Sequence, residues 1–414
     1  MIDFNIHIPE FISERIINGK LCIVNQKKDE VWIFSKDSIH LWDKLKTREV
    51  PIDVSESVLM GFVKSLYERD LIECTPDLHF KRNHNLVAYN KTIQLGYETY
   101  KAHTVYHAMF ELTYRCNENC LHCYISSVPK DELTLGEVKN TLDQLKDLGC
   151  HQVHFTGGEV LCRDDFFEIL EYSQSLGFLN GIFTNGTLIT PELALKLSKF
   201  YLSFVKISLY GTTSENHEKI TRNKGSFKRS IEAIKYLRKY NIKVIIGFTL
   251  LNHNADELLN AEELCKKLDT EYQLEMKIFP SHNNSLEPLD YGASDEDIKS
   301  FMRSGKINPI KRTLCLAGQT KIKISPVGDV YPCEYWKNPV GNLRDHSLKE
   351  LWNSEEMKKN VEWARNYLPV KCKKCELLEN CFICPAYMDQ DDGEFFKQFC
   401  RWAKLSAEVS TVQI

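Results

Sequence analysis

From about residue 108 the chain alternates between two hydrophobic rhythms. Ala108–Thr113, Gln152–Thr156, Gly181–Thr184, Phe204–Leu209, Lys243–Leu250 and Tyr272–Phe279 are short apolar or β-rich runs, and amphipathic stretches at helical spacing separate them. Helix ends are readable. Thr134-Leu135-Gly136-Glu137 is a capping box, Thr190-Pro191 puts proline at the first helical position, and Gly149 and Gly177 stand where C-caps belong. Six strand–helix units predict an α/β fold, a parallel sheet curved into a partial (β/α)6 barrel whose functional loops follow the C-terminal ends of the strands.

The first 75 residues read differently. Lys20–Gln26 and Glu30–Ser35 are β-rich runs parted by the polar turn Lys27-Lys28-Asp29, and Ser38–Leu45 and Ser55–Leu71 then carry apolar residues at helical spacing. Two strands followed by helices predict a winged-helix-like α+β module over residues 1–75. Weak periodicity makes 76–107 a linker, the barrel occupies 108–290, and a cysteine-rich domain fills 291–414.

Charge and composition narrow the class. The 414 residues carry a formal net charge of −4 and are 43% hydrophobic, which excludes a disordered or strongly basic chain. No run of 18 apolar residues and no basic, apolar N-terminal signal is visible, so the expected setting is the cytoplasm, with no membrane partner. Fifteen cysteines are then the anomaly, because clustered cysteine in a large intracellular chain more often binds metal than forms disulfides. Cys22, Cys74, Cys150 and Cys162 read as ordinary thiols, mostly buried, while ten cysteines fall into two clusters.

The first cluster, Cys116-Asn117-Glu118-Asn119-Cys120-Leu121-His122-Cys123, directly follows the first barrel strand. Three close cysteines suit a [4Fe–4S] cluster with one iron left open for a small bidentate ligand. A zinc site with His122 as the fourth ligand stays open on the residues alone, although the gaps are unusual for a zinc knuckle. Cys-x3-Cys-x2-Cys after one strand and Thr156-Gly157-Gly158-Glu159 after the next resemble the radical S-adenosylmethionine (SAM) superfamily over roughly 110–286. That resemblance implies a SAM-chelating cluster on Cys116, Cys120 and Cys123, and a 5′-deoxyadenosyl radical that takes hydrogen from an unactivated C–H. It also implies SAM contacts from His122, Gly157, Gly158, Glu159, Asn185, Ser208, Arg222 and Leu250. Tyr210 departs from the family, replacing the acidic residue common after the Ser208-Leu209 pair.

In the second cluster, Cys315, Gly328-x4-Cys333 and Cys372-x2-Cys375-x5-Cys381-x2-Cys384-x15-Cys400 resemble the SPASM extension of radical SAM enzymes. The resemblance implies one auxiliary [4Fe–4S] cluster on Cys315, Cys333 and Cys384 and a second on Cys372, Cys375, Cys381 and Cys400, three clusters in all. Lys321–Ser325, the turn Pro326-Val327-Gly328-Asp329 and Val330–Cys333 predict a hairpin that presents Cys333. The first auxiliary set finds only three cysteines, leaving an iron for a substrate thiolate, for water or for a distant residue such as Cys265. The Cys381-Cys384 gap is one residue shorter than the family's, and a zinc ribbon remains the alternative for the last four cysteines.

Residues 1–75 resemble the leader-recognition element of maturases that act on ribosomally made peptides. An exposed strand edge at Val31, Trp32, Ile33 and Phe34 is expected to accept the leader of a precursor peptide. The leading expectation is a radical SAM peptide maturase forming thioethers, served by a flavodoxin- or ferredoxin-like electron donor. Carbon–carbon crosslinking, peptide oxidation and formylglycine formation in a sulfatase are the alternatives within the superfamily. The alternative outside it is a non-catalytic metal protein whose N-terminal unit contacts DNA, against which the charge of −4 weighs, so no nucleic-acid partner is expected.

Overall fold

The computed structural model describes residues 5–47, 56–75, 99–283, 285–307, 315–366, 372–378, 381, 384–387 and 394–412. Most of the expected linker, 76–98, lies outside them. None of the described helices is long and apolar enough to cross a membrane.

The N-terminal module opens with β1 (Asn5–His7) and a three-stranded antiparallel sheet, β2 (Ile12–Ile17), β3 (Lys20–Asn25) and β4 (Glu30–Phe34), in that spatial order. Asn18 and Gly19, at φ 51° and 68°, make the tight turn between β2 and β3. Helices α1 (Asp37–Thr47) and α2 (Glu56–Glu68) follow, and β5 (Glu73–Thr75) returns to pair with β1. The sequence pattern shows β3, β4 and both helices but not β2, because β2 does not alternate cleanly: Arg15 is buried and Ile16 is 52% exposed. Both faces of this sheet are covered. Leu21, Ile23 and Trp32 pack on Trp42, Phe62 and Leu66 from the helices, while Ile17, Cys22, Val24 and Val31 pack on Tyr106 and Leu179 of the next domain.

The central sheet has nine strands. β6 (His107–Thr113), β7 (Gln152–Gly157), β8 (Leu179–Thr184), β9 (Leu202–Leu209), β10 (Val244–Thr249) and β11 (Glu271–Glu275) lie side by side in sequence order, all parallel. The first five coincide closely with the runs predicted from hydrophobicity, whereas the sixth, expected over Tyr272–Phe279, ends at Glu275. On the other side of β6 the sheet continues into the cysteine-rich part. β12 (Lys321–Ile324) pairs parallel with β6, and β13 (Asp329–Tyr331) and β14 (Gly341–Asn342) add antiparallel. The predicted hairpin is therefore part of the same sheet rather than of a separate layer.

Helices α3 (Leu135–Asp147), α4 (Phe166–Ser175), α5 (Pro191–Leu197), α6 (Ser214–Thr221), α7 (Ser226–Lys239) and α8 (Ala261–Leu268) connect the strands. Their apolar faces and Phe110, Phe155, Ile207 and Phe248 of the sheet form the main core. The inner face of the sheet is instead polar and aromatic. His107 Nε2 lies 2.8 Å from His154 Nδ1, and Lys206 on β9 reaches Gln273 and Glu275 at 2.9 and 3.3 Å.

The N-terminal module docks where the parallel strands begin. Arg15 donates to Cys150 O and Leu176 O at 3.3 and 2.8 Å, Ser13 to Gly177 O at 3.0 Å and Gln26 to Phe178 O at 2.9 Å. Every one of these carbonyls immediately precedes β7 or β8, so the module covers the end of the sheet opposite the cysteine loop.

Candidate active site

The cysteine loop is pinned on three sides. At its root, Thr113 Oγ1 and Tyr114 N donate to Glu132 Oε1 at 2.6 and 3.1 Å. In its middle, Asn119 N and Leu121 N donate to Thr221 O and Ile220 O at the end of α6, at 3.3 and 3.0 Å. At its far end, His282 N donates to Tyr124 O at 2.8 Å.

The three thiols lie within electrostatic reach of one another, and the protein packed around them raises all three, Cys116 to about 11. Ligation must therefore displace protons. Among the described residues no three Cys, His, Asp or Glu side chains form a group that could hold a single metal ion; a [4Fe–4S] cluster takes its thiolates on separate irons. The donor chemistry of three cysteines on one loop fits an iron–sulfur cluster. Two buried polar atoms between the cysteines, Glu118 Oε1 and His122 Nδ1, have no partner among the described residues, which leaves them for a ligand.

Gly157 and Gly158 serve a close backbone approach. A Cβ on Gly157, whose φ is +149°, would stand 2.1 Å from Thr113 O, and one on Gly158 would stand 2.4 Å from Arg115 O. Gly158 N and Glu159 N donate to those two carbonyls at 2.7 and 2.9 Å, which splices the end of β7 to the root of the cysteine loop. The Glu159 carboxylate is held by its own neighbours. Fully buried, it accepts from Leu161 N (3.1 Å), Thr184 Oγ1 (2.8 Å) and Asn185 N (2.7 Å), so its acceptor capacity is used inside the protein. Burial raises its pKa.

Asn185 does face the loop. Its amide donates to Asn117 Oδ1 at 2.8 Å and lies 4.0 Å from Cys116 Sγ, and Asn117 in turn donates to Thr187 at 2.8 Å. Ser208 is half-buried on the inner face of β9 and hydrogen-bonds Tyr210, whose ring meets His122 edge-on at 4.7 Å. Burial lowers His122 to about 4, so its ring is neutral. Arg222 is exposed at φ 54°, next to the two α6 carbonyls that hold the loop. Leu250 is a correction: it is wholly enclosed in the main core and presents no surface to a ligand.

Cys315, Cys333 and Cys384 come within mutual electrostatic reach, beside Lys277. Cys372 and Cys381 share their apolar cluster, with Cys400 at its margin and Cys375 exposed. Cys265 is a second correction, because the apolar face of α8 carries it into the main core, away from that cluster. The sequence reading passed over Asn117 and Glu118, which lie between the cysteines, and Glu111, Tyr114, Tyr124, His282 and Lys323 around the loop. The available signal was the pair of tyrosines that bracket the cysteines.

Residues 110–265 match the model of the radical SAM superfamily, and residues 315–376 match that of the SPASM iron–sulfur cluster-binding domain. The chain is 28% identical over 328 residues to an AdoMet-dependent heme synthase of Methanosarcina barkeri, covering 70% of this chain and 93% of that protein. It is also 28% identical over 363 residues to the antilisterial bacteriocin subtilosin biosynthesis protein AlbA of Bacillus subtilis, covering 80% of each. The crystal structure of Streptococcus suis SuiB bound to precursor peptide SuiA shares the fold at a TM-score of 0.57 and 17% identity, over 91% of this chain and 94% of that one.

Proposed function

Given a chain that carries a radical SAM domain followed by a SPASM iron–sulfur cluster-binding domain, we propose an enzyme that matures a ribosomally made precursor peptide by joining a cysteine sulfur to a carbon as a thioether. The observation that carries this reading is the N-terminal module. Its strand β4 is an edge, with no partner strand beyond it among the described residues. Such an edge accepts an extended peptide through main-chain hydrogen bonds. Val31 and Trp32 turn their side chains into the protein, so a leader would meet the main chain of this edge and the half-buried Phe34, whose ring lies 6.0 Å from the Arg69 guanidinium. The likeness to a bacteriocin biosynthesis protein supports a peptide substrate.

Cys116, Cys120 and Cys123 would hold the SAM-binding cluster, Cys315, Cys333 and Cys384 a first auxiliary cluster, and Cys372, Cys375, Cys381 and Cys400 a second. When bound, SAM and its cluster supply a carbon radical able to take hydrogen from an unactivated C–H. The protein orients and shields. The Gly157-Gly158 splice and Asn185 fix the loop that carries the thiols, and the orphaned Glu118 and His122 atoms face the ligand. No cysteine lies between Cys315 and Cys333, so the first auxiliary set would leave one iron for the thiolate of the substrate. A flavodoxin- or ferredoxin-like protein would supply the reducing electron.

The likeness to heme synthases favours a second reading, a tetrapyrrole substrate. Co-expression with a cysteine-containing precursor peptide, followed by high-resolution mass measurement with and without thiol alkylation, separates them. Loss of two hydrogens per crosslink together with loss of the alkylatable thiol is expected. An unchanged peptide, with a porphyrin consumed instead, would overturn the peptide reading, and hydrogen loss with every thiol still alkylatable would replace the thioether by carbon–carbon linkage or oxidation.

A further inference from the structure

Glu111 is 3% exposed on the inner face of β6, five residues before the first cysteine of the loop. Its carboxylate serves three partners. Oε2 accepts from Tyr114 Oη at 2.8 Å and pairs with Lys323 Nζ at 3.8 Å, and Oε1 accepts from Tyr124 Oη at 3.1 Å. The two tyrosines bracket the cysteine loop, Tyr114 at its root and Tyr124 next to Cys123. His282 sits between them, its ring 5.1 Å from each. Lys323 comes from β12 across the seam, and its ammonium lies 4.1 Å from the ring centre of Tyr331, two residues before Cys333.

An apolar pair of similar volume would serve a purely structural seam at least as well as this buried ion pair. What apolar groups cannot do is accept from two phenols and an ammonium at once. The carboxylate thus ties together both ends of the cysteine loop and the hairpin that leads to the auxiliary cysteines.

We propose that Glu111 is a positioning residue, which holds the two ends of the cysteine loop in one place and, through Lys323, sets that loop against the SPASM hairpin. This rests on the cysteine loop carrying the SAM-binding cluster and is independent of the substrate. The test therefore uses no peptide. The full chain and its Glu111→Gln variant are reconstituted anaerobically, and iron per chain, the electron paramagnetic resonance of the reduced cluster with and without SAM, and unproductive SAM cleavage are measured.

Glu111→Gln is expected to keep its iron but to lose the spectral response to SAM and at least about tenfold of the cleavage, since small misplacements of a reacting group cost that much or more. In Lys323→Met the loss is expected to be smaller. The double variant should lose less than the two single losses combined, as members of one network do. A Glu111→Gln chain with the wild-type spectral response to SAM and wild-type cleavage would overturn the proposal. Should that variant fail to fold, the Tyr114→Phe/Tyr124→Phe double variant keeps the ion pair while freeing the loop ends, and a wild-type spectrum there would overturn it equally. Failure of iron to bind the wild-type chain would instead overturn the cluster assignment itself.

Discussion

A methyl group is too large for the splice between β7 and the cysteine loop. At Gly157 it would meet Thr113 O at 2.1 Å and impose φ +149° on an alanine, so Gly157→Ala is expected to destabilise by about 2–4 kcal/mol. Thermal melting together with iron content after reconstitution checks this, and a variant with both unchanged would mean that the splice is not needed. Glu159→Gln retains shape but sets an amide donor against the Leu161, Thr184 and Asn185 donors, at an expected cost of about 1–3 kcal/mol by thermal or denaturant melting. The Thr156-Gly157-Gly158-Glu159 motif was legible as residue types at a strand end. What each residue touches was not, because spacing along the chain cannot say whether a glycine clears room for a ligand or for the backbone of the neighbouring strand. Leu250 shows the same limit: an apolar residue at the end of a strand reads alike whether it faces a ligand or the helices behind.

At the scale of elements, helix starts were the most legible feature. Thr134 and Glu137 form the reciprocal cap predicted for α3. Unreadable from sequence was that Arg344, beyond β14, donates to the same Glu137 at 2.8 Å and pairs with Asp131 at 3.2 Å, which ties the cysteine-rich part to α3. The Arg344 guanidinium, aided by the Thr134 backbone, lowers Glu137 from 4.5 to about 2. A depressed carboxyl stabilises the fold above its unfolded pKa and loses that contribution as pH falls toward the folded one. Arg344→Ala is therefore expected to lower the melting temperature at pH 7 and to differ progressively less from wild type between about pH 4.5 and 2. Both partners are about a third exposed, so solvent limits the effect to about 1 kcal/mol. The missed strand β2 has a similar lesson, because its buried Arg15 breaks the apolar alternation and bonds carbonyls of a different domain. Replacing Arg15 by leucine leaves those carbonyls buried without a donor, an expected loss of about 2–4 kcal/mol in docking. Faster release of an N-terminal fragment on limited proteolysis would show it, and an unchanged cleavage rate would mean that apolar packing alone holds the module.

Across the whole molecule, the order of the three regions was legible and their spatial arrangement was not. Parallel strands put the cysteine loop at one end of the sheet, and the carbonyls that receive Ser13, Arg15 and Gln26 put the N-terminal module at the other. The strands from β6 to β9 run from six residues in β7 and β8 to eight in β9, and at about 3.3 Å per residue they separate the two ends by roughly 20–26 Å. A peptide docked on β4 must cross that distance before any of its residues reaches the thiol loop. Even fully extended, at about 3.3–3.6 Å per residue, it needs at least about six to eight residues to do so. On the proposed reading, a precursor whose leader docks on β4 is therefore expected to tolerate longer spacers between that leader and its first modified residue, but not shorter ones. Deleting that spacer to three residues should leave binding to the enzyme intact and abolish modification, and a flexible glycine–serine insert should restore it whatever its sequence. Undiminished modification of the short-spacer peptide would place the leader at the strands' C-terminal end, away from β4. A short-spacer peptide that neither binds nor reacts would mean instead that the deleted residues belong to the recognition segment itself.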